Sequence, residues 1–113
     1  MEEGIPRKEV KVSAQFYESF EQIYDYGSET FGEIQAGRYG QKIRASLGTL
    51  PDRYTYYPPC RHIPTRSLKY RNIILDAHLI IYCITAARIE VLDIVHGAMS
   101  VSRIRAVRGI RLD

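Results

Sequence analysis

Two stretches of the chain hold most of the side chains able to do chemistry. From Pro51 to Lys69 the bases Arg53, Arg61, His62, Arg66 and Lys69 face a single acid, Asp52, and alternate with Tyr54, Tyr56 and Tyr57. Guanidinium and ammonium groups bind phosphate, and tyrosine rings stack on bases or line a protein groove. The same residues also describe a tyrosine-lined loop laid over a sheet edge, and the pattern leaves both readings open. In the last sixteen positions, 98–113, Arg103, Arg105, Arg108 and Arg111 stand against Asp113 alone. His96 closes an apolar run just before Gly97, where a polar side chain can stand at the mouth of a site. A strand-end histidine can equally serve as a hydrogen-bonded structural residue. Cys60 beside a proline pair and Cys83 inside an apolar run form no metal-ligand spacing. They read as free thiols in a reducing cytoplasm, and neither a metal nor a cofactor is expected.

The frame for these groups is Tyr70 to His96. Three short runs rich in Ile, Val, Leu and Tyr are separated by Asp76-Ala77-His78 and Thr85-Ala86-Ala87. β-branched and aromatic residues fit a pleated, half-buried surface, and breaks this short suit hairpins. The reading is an antiparallel meander. Strict alternation puts Arg71, Ile73 and Leu75 on one face, and Leu92, Ile94 and His96 on one face of the last strand.

Ahead of the meander, Glu9 to Ser13 alternates as a first strand, and Ser13 is placed to cap a helix. In the helix predicted from Ala14 to Phe31, Phe16, Phe20, Ile23 and Gly27 form an apolar stripe. Tyr17, Tyr24 and Phe31 flank it, and Glu18, Gln22, Asp25 and Glu29 lie opposite. The aromatic stripe reads as core. Gly32 breaks the pattern, and a second helix is predicted from Glu33 to about Leu47 with Ala36, Gly40, Ile43 and Leu47 as its stripe. Gly37 and Gly40 each weaken a helix by about 1 kcal/mol relative to Ala, a cost that close approach to the aromatic helix would offset. Residues 14–49 thus read as a helical hairpin laid on the sheet. Arg61-His62-Ile63 is read as a short strand leading into the meander. Val101, Ile104 and Val107 set the rhythm of a short basic terminal helix or tail.

A chain of 113 residues is read as one domain, 1–113, with one core. No apolar run approaches the roughly 20 residues that span a bilayer. The opening Met-Glu-Glu-Gly lacks the basic-then-apolar order of a secretory signal. A cytoplasmic protein with no membrane partner is expected. Charge is segregated along the chain. Residues 1–35 hold eight acids and three bases, a balance of −5, and residues 36–113 hold five acids and thirteen bases, a balance of +8. The later part is therefore suited to an acidic or polyanionic partner, or is a plain solvated basic surface.

Strand, helical hairpin, basic loop and meander, in that order, resemble the RelE/ParE superfamily of type II toxin–antitoxin, or plasmid-stabilisation, toxins. The likeness is carried by Tyr70-Arg71-Asn72-Ile73-Ile74, Leu79-Ile80-Ile81-Tyr82 and Ile89-Glu-Val-Leu-Asp-Ile-Val-His-Gly97. It implies an α+β fold: N-terminal strand, helical hairpin packed on a twisted antiparallel sheet (β-α-α-β-β-β), and a short C-terminal basic helix or tail. It also implies a dedicated antitoxin that masks the toxin, growth arrest when the antitoxin is missing, and contact with operator DNA only through the antitoxin complex.

One branch of the superfamily cuts messenger RNA in the ribosome. That reaction needs proton transfer at the ribose 2′-OH and the leaving oxygen, with cations around the charged transition state. Its candidates here are His78 and His96 for proton transfer and Arg61 and Arg71 for charge stabilisation. Leu79 stands where several ribonuclease members carry an arginine, and the tail has no tyrosine. The other branch, ParE-like, performs no chemistry and binds DNA gyrase, and the His96-Gly97 ending resembles it. On that reading Arg61, Arg66, Lys69, Arg71, Arg103, Arg105, Arg108 and Arg111 form the partner surface. A simple nucleic-acid-binding module is the third alternative.

Overall fold

The computed structural model describes residues 4–112; residues 1–3, which belong to the leader reading, and Asp113 lie outside it. Its elements are β1 (Glu9–Val12), α1 (Ala14–Phe31), α2 (Glu33–Gly48), a single turn α3 (Leu50–Arg53), β2 (Tyr70–Ile74), β3 (His78–Ile84), β4 (Arg88–His96) and α4 (Val101–Arg105). The last runs on into a 3₁₀ turn at Ala106–Gly109. The α+β order expected from sequence is the one observed.

The strands lie in the order β1-β4-β3-β2. β2, β3 and β4 form the predicted antiparallel meander. β1 adds parallel to β4, with Val12 opposite Val91, so the sheet is mixed and only the meander is antiparallel throughout. The helical hairpin acts as the crossover between β1 and β2. Two reversals then bring β4 back beside β1 in the same direction.

Two further expectations need correction. Arg61-His62-Ile63 is a turn, closed by Ile63 N–H donating to Cys60 C=O at 3.1 Å. The strand-like pairing sits just upstream, where Pro59 bridges Arg71, Asn72 N–H donates to Pro58 C=O and Cys60 N–H donates to Tyr70 C=O. Prolines give no N–H, so they can serve a sheet edge only through their carbonyls. Nor do Leu92 and Ile94 share a face. Tyr82 pairs with Val91 and Ile81 with Asp93, so Leu92 is an extra residue opposite the joint. That bulge resets the alternation. Leu92 packs with Ile81, Cys83 and Val95 on one side of the sheet, and Ile94 with Ile80 and Tyr82 on the other. Alternation holds on β2, where Ile73 and Leu75 pack on the same side and Arg71 lies opposite Tyr82.

The sheet is covered on both faces. Phe16, Ile43, Leu50 and Tyr54 close the first, over Ile73, Ile80, Tyr82, Ile89, Val91 and Ile94. Cys60, Ile63, Ile104 and Val107 close the second, over Ile81, Cys83, Leu92 and Val95. Ser13 caps α1 by accepting from Phe16 N–H at 2.9 Å, and its own hydroxyl donates to Leu92 C=O. This ties the helix start to the middle of β4. Gly32, with φ +94°, makes the reversal between the helices in a conformation that disfavours any side chain. At Gly40 the expected close approach is found, with Phe20 Cζ 3.5 Å from where a Cβ would stand, whereas Gly37 has nothing near it.

The aromatic stripe of α1 is core over its first half only. Phe16 is buried, Phe20 and Ile23 pack against the core, and Tyr17, Tyr24 and Phe31 are exposed. Length explains this. The 18 residues of α1 span about 27 Å at 1.5 Å each. From its anchor at Leu92, β4 runs only roughly 14 Å further to His96 at 3.4 Å each. The hairpin therefore overhangs the end of the sheet, leaving Phe31 63% and Ile34 74% exposed.

Candidate functional site

Under the overhang lies a cleft of about 890 Å³, walled by Phe20, Ile23, Gly27 and Ala36 and floored by His78 and His96. The two histidines are cross-strand partners on β3 and β4, with ring centroids 5.4 Å apart in an edge-to-face arrangement. Tyr39 of α2 reaches down so that its Oη lies 2.8 Å from His78 Nδ1. Burial holds the Tyr39 hydroxyl above the ordinary phenol value, against a smaller opposing effect of a hydrogen bond from the Ala77 backbone. Burial, and next the neighbouring His96, holds His78 below the usual imidazole value. Both shifts favour neutral partners, and the direction of the Tyr39 Oη–His78 Nδ1 hydrogen bond follows the imidazole tautomer. His96 Nδ1 accepts from Ala98 N–H at 3.0 Å, which assigns its proton to Nε2. At the rim Lys42 pairs with Asp76 at 3.4 Å. This end of the molecule offers two imidazole rings beside an apolar cleft.

Arg71 does not join them. It sits opposite Tyr82, four residues along β3 from His78, or roughly 13 Å at strand spacing. Its guanidinium donates to Tyr57 C=O at 2.8 Å, Thr55 C=O at 3.2 Å and Leu68 C=O at 3.2 Å. Tyr82 Oη donates to Tyr54 C=O at 2.6 Å, and Tyr54 Oη to Pro6 C=O at 2.6 Å. Arg71 and Tyr82 together clamp the 54–57 segment to the sheet. The tyrosines of the basic loop are therefore divided: Tyr54 is core, Tyr57 packs edge-on to Tyr82, and Tyr56 is exposed beneath the Arg53 guanidinium.

Arg61 lies apart as well. Its turn contributes Cys60 and Ile63 to the second face, remote from the histidines. There it joins the other proposed cations. Ile104 and Val107 seat α4 and the 3₁₀ turn beside the 60–63 turn, and Arg105 Nε donates to His62 C=O at 3.2 Å across the seam. Arg61, Arg66, Lys69, Arg103, Arg105, Arg108 and Arg111 are all exposed on this cover. None of the seven forms an ion pair among the described residues, whose pairs are Arg7–Asp52, Lys42–Asp76 and Arg88–Glu90. Of the cations expected to meet a partner, the seam brings the Arg61 turn and Arg105 side by side, and Arg71 lies apart. The four candidate catalytic groups are split three ways.

Tyr39, the partner of His78, was not singled out from sequence. Its signal was available: it lies three residues after Ala36 and four before Ile43, on the apolar stripe itself. Cys60 and Cys83 are both buried, and burial raises the Cys83 thiol above its usual value. Among the described residues no group of three or more His, Cys, Asp or Glu side chains could hold a metal ion. No described helix is long and apolar enough to cross a membrane.

The model of the family described as the ParE toxin of the type II toxin–antitoxin system parDE matches residues 10–101. Among solved structures, one titled as the chromosomal ParDE TA system from P. aeruginosa aligns with a TM-score of 0.66 at 16% identity. The alignment covers 81% of this chain and 98% of that one. At that identity the likeness speaks for the fold. No curated protein matches the chain. The family match spans the sheet, the hairpin and the histidine end, and on it this chain belongs to the ParE toxin family of type II toxin–antitoxin systems.

Proposed function

We propose that this toxin acts by binding and inhibiting DNA gyrase, without catalysing a reaction, and that a cognate antitoxin neutralises it. The observation that carries this reading is the dispersal of the reactive groups. RNA cleavage needs acid, base and cation within reach of one phosphate. Here His78 and His96 stand at one end, Arg71 is committed to three carbonyls, and Arg61 lies on the other face. The cations meanwhile gather into one exposed surface, which suits recognition. The cleft under the hairpin, rimmed by Tyr24, Tyr26 and Phe31, suits an amphipathic antitoxin segment. In the cell this pairing would hold a cytoplasmic toxin silent, stabilise a plasmid or locus that carries it, and arrest growth once the antitoxin is lost.

The test sets two assays side by side. Purified toxin is added to a gyrase supercoiling reaction and to translating ribosomes with defined mRNA. Loss of supercoiling with intact mRNA is expected, and relief of it by the antitoxin. Codon-linked cleavage with supercoiling untouched would overturn the reading in favour of a ribosome-dependent endoribonuclease. Removal of residues 103–113 is expected to lower toxicity more than His96→Ala does. Under the ribonuclease alternative the ranking reverses.

A further inference from the structure

We propose that the cover of the second sheet face is a binding plate for the phosphodiester backbone of duplex DNA, which the toxin holds directly and without reading sequence. The plate is formed by the 61–69 segment and the α4–3₁₀ unit, locked side by side by Arg105 and by the shared burial of Ile63, Ile104 and Val107. Six of its seven cations are arginines, whose planar fork matches phosphate oxygens in pairs. Arg61, Arg66, Arg103 and Arg108 donate no side-chain hydrogen bond to any described residue, so their donors are turned to solvent. Arg105 and Arg111 donate to backbone carbonyls, which leaves their charge uncompensated. Glu90 lines a small pocket with Arg108 and Arg111 and is paired with Arg88 at 3.0 Å.

Three features select the ligand. The apolar residues of the cover face inward, with Leu68 and Val101 about half exposed, so what this surface offers a ligand is chiefly charge. A single strand would need exposed rings for stacking. Tyr70 is half-buried under Lys69, and no exposed aromatic residue belongs to the plate. What remains is dense positive charge, which suits a regular double row of phosphates. α4 has only 5 residues and is tied down by the buried Ile104, too short to enter a major groove and read base edges, so the contact is to the backbone. The exposed acids Glu18, Glu21, Asp25 and Glu29 belong to α1, which covers the other face of the sheet, so a polyanion is favoured on the cationic cover. The proposal rests on the gyrase reading only for where the duplex would be met, since that enzyme works on DNA.

The test therefore leaves gyrase out. Binding of the full chain to a fluorescent 20-base-pair duplex of arbitrary sequence is measured across a salt series. Affinity is expected to fall with salt at a log–log slope of about −4 or steeper, from about 0.9 per phosphate contacted. Arg103→Gln/Arg108→Gln is expected to flatten the slope by about 2 and to weaken binding about tenfold or more at low salt. Arg38→Gln/Arg44→Gln, which removes the same charge from the hairpin, is expected to leave both nearly unchanged. Absence of binding at low salt, a wild-type slope shallower than about −2, or equal losses in the two double variants would overturn the proposal. Tighter binding to a single strand or to an RNA duplex than to DNA would overturn the choice of ligand. Gyrase inhibition without DNA binding would remove this inference alone, and DNA binding without gyrase inhibition would remove the functional reading alone.

Discussion

The two faces of the sheet are closed by different means, and the difference separates their tasks. On the first face a long helical hairpin contributes Phe16 and Ile43, carries acids on its outside, and overruns the strands to leave an apolar cleft. On the second face a turn and one short terminal helix contribute Ile63, Ile104 and Val107 and carry arginines on their outside. Both covers bury apolar residues of the two central strands, β3 and β4. One supplies a concave apolar surface, the other a flat cationic one. The second cover is built largely from residues beyond 101, where the family match ends.

The contrast predicts unequal consequences from like substitutions. Ile80→Ala removes a fully buried side chain from the centre of the first face and is expected to cost about 3–5 kcal/mol. Loss should show as a lower midpoint in denaturant for the whole molecule. Ile104 is equally buried, but it anchors only α4 and the turn after it. Ile104→Ala is expected to cost about 2–3 kcal/mol, with faster amide exchange confined to residues 101–110. If α1 and α2 exchange faster too, the covers are not separable units. Next in size is Tyr82→Phe, which leaves the Tyr54 carbonyl without its 2.6 Å donor. About 1–2 kcal/mol of stability is expected to be lost. Arg71→Ala should loosen the same segment, seen as proteolysis within residues 54–58, with the His78–His96 geometry intact by NMR.

Most of the first face was legible in the sequence, because its devices are periodic. The Phe16–Phe20–Ile23 stripe, the Ser13 cap and the Gly32 break specify the hairpin locally, and β-branched runs specify the meander. The places where reading failed are those set by non-local geometry. Nothing local marks Leu92 as a bulge, since Val91-Leu92-Asp93 alternates acceptably in either register, and the choice is made by pairing with Ile81 and Tyr82. The overhang follows from comparing the length of α1 with that of β4, which no single segment contains. Arg71 looked like a chemical group because its three carbonyl acceptors come from a loop without periodicity. The cations of the two segments were grouped from the sequence; the seam that joins them, Arg105 to His62 C=O over the shared burial of Ile63, Ile104 and Val107, was not legible.

A smaller effect tests the seam where the basic loop enters the sheet. Leu68 adopts φ +58°, the left-handed region, beside the turn in which its N–H donates to Thr65 C=O. A branched side chain there is strained by about 1 kcal/mol. Leu68 is 46% exposed, so little packing is lost on its removal. Leu68→Gly is therefore expected to raise stability by up to about 1 kcal/mol, with the melting temperature as the readout and Leu68→Val moving the opposite way.

The smallest effect compares half-buried His78 with buried Asp93 on the hairpin side, because their signs differ. His78 is held below 6.5 by burial and by His96. As pH falls through 6.5 the unfolded chain takes up a proton that folded His78 refuses, so stability is lost between that pH and the depressed folded value. Asp93 is held above 3.8, by burial first, against its hydrogen bonds from Ser19 and Ile94 N–H. Between its raised folded value and 3.8 the folded state binds the extra proton, so acidification there favours the fold. The groups around His78 are Tyr39, His96, Asp76 and Lys42. Denaturant midpoints are expected to fall from pH 7.5 to 5.5 in the wild type and to fall less in His78→Gln. Asp93→Asn is expected to leave that drop intact and to remove the opposing trend at lower pH. An unchanged drop in His78→Gln would show that the pH-sensitive group is not His78 and would break the contrast in sign between the two groups.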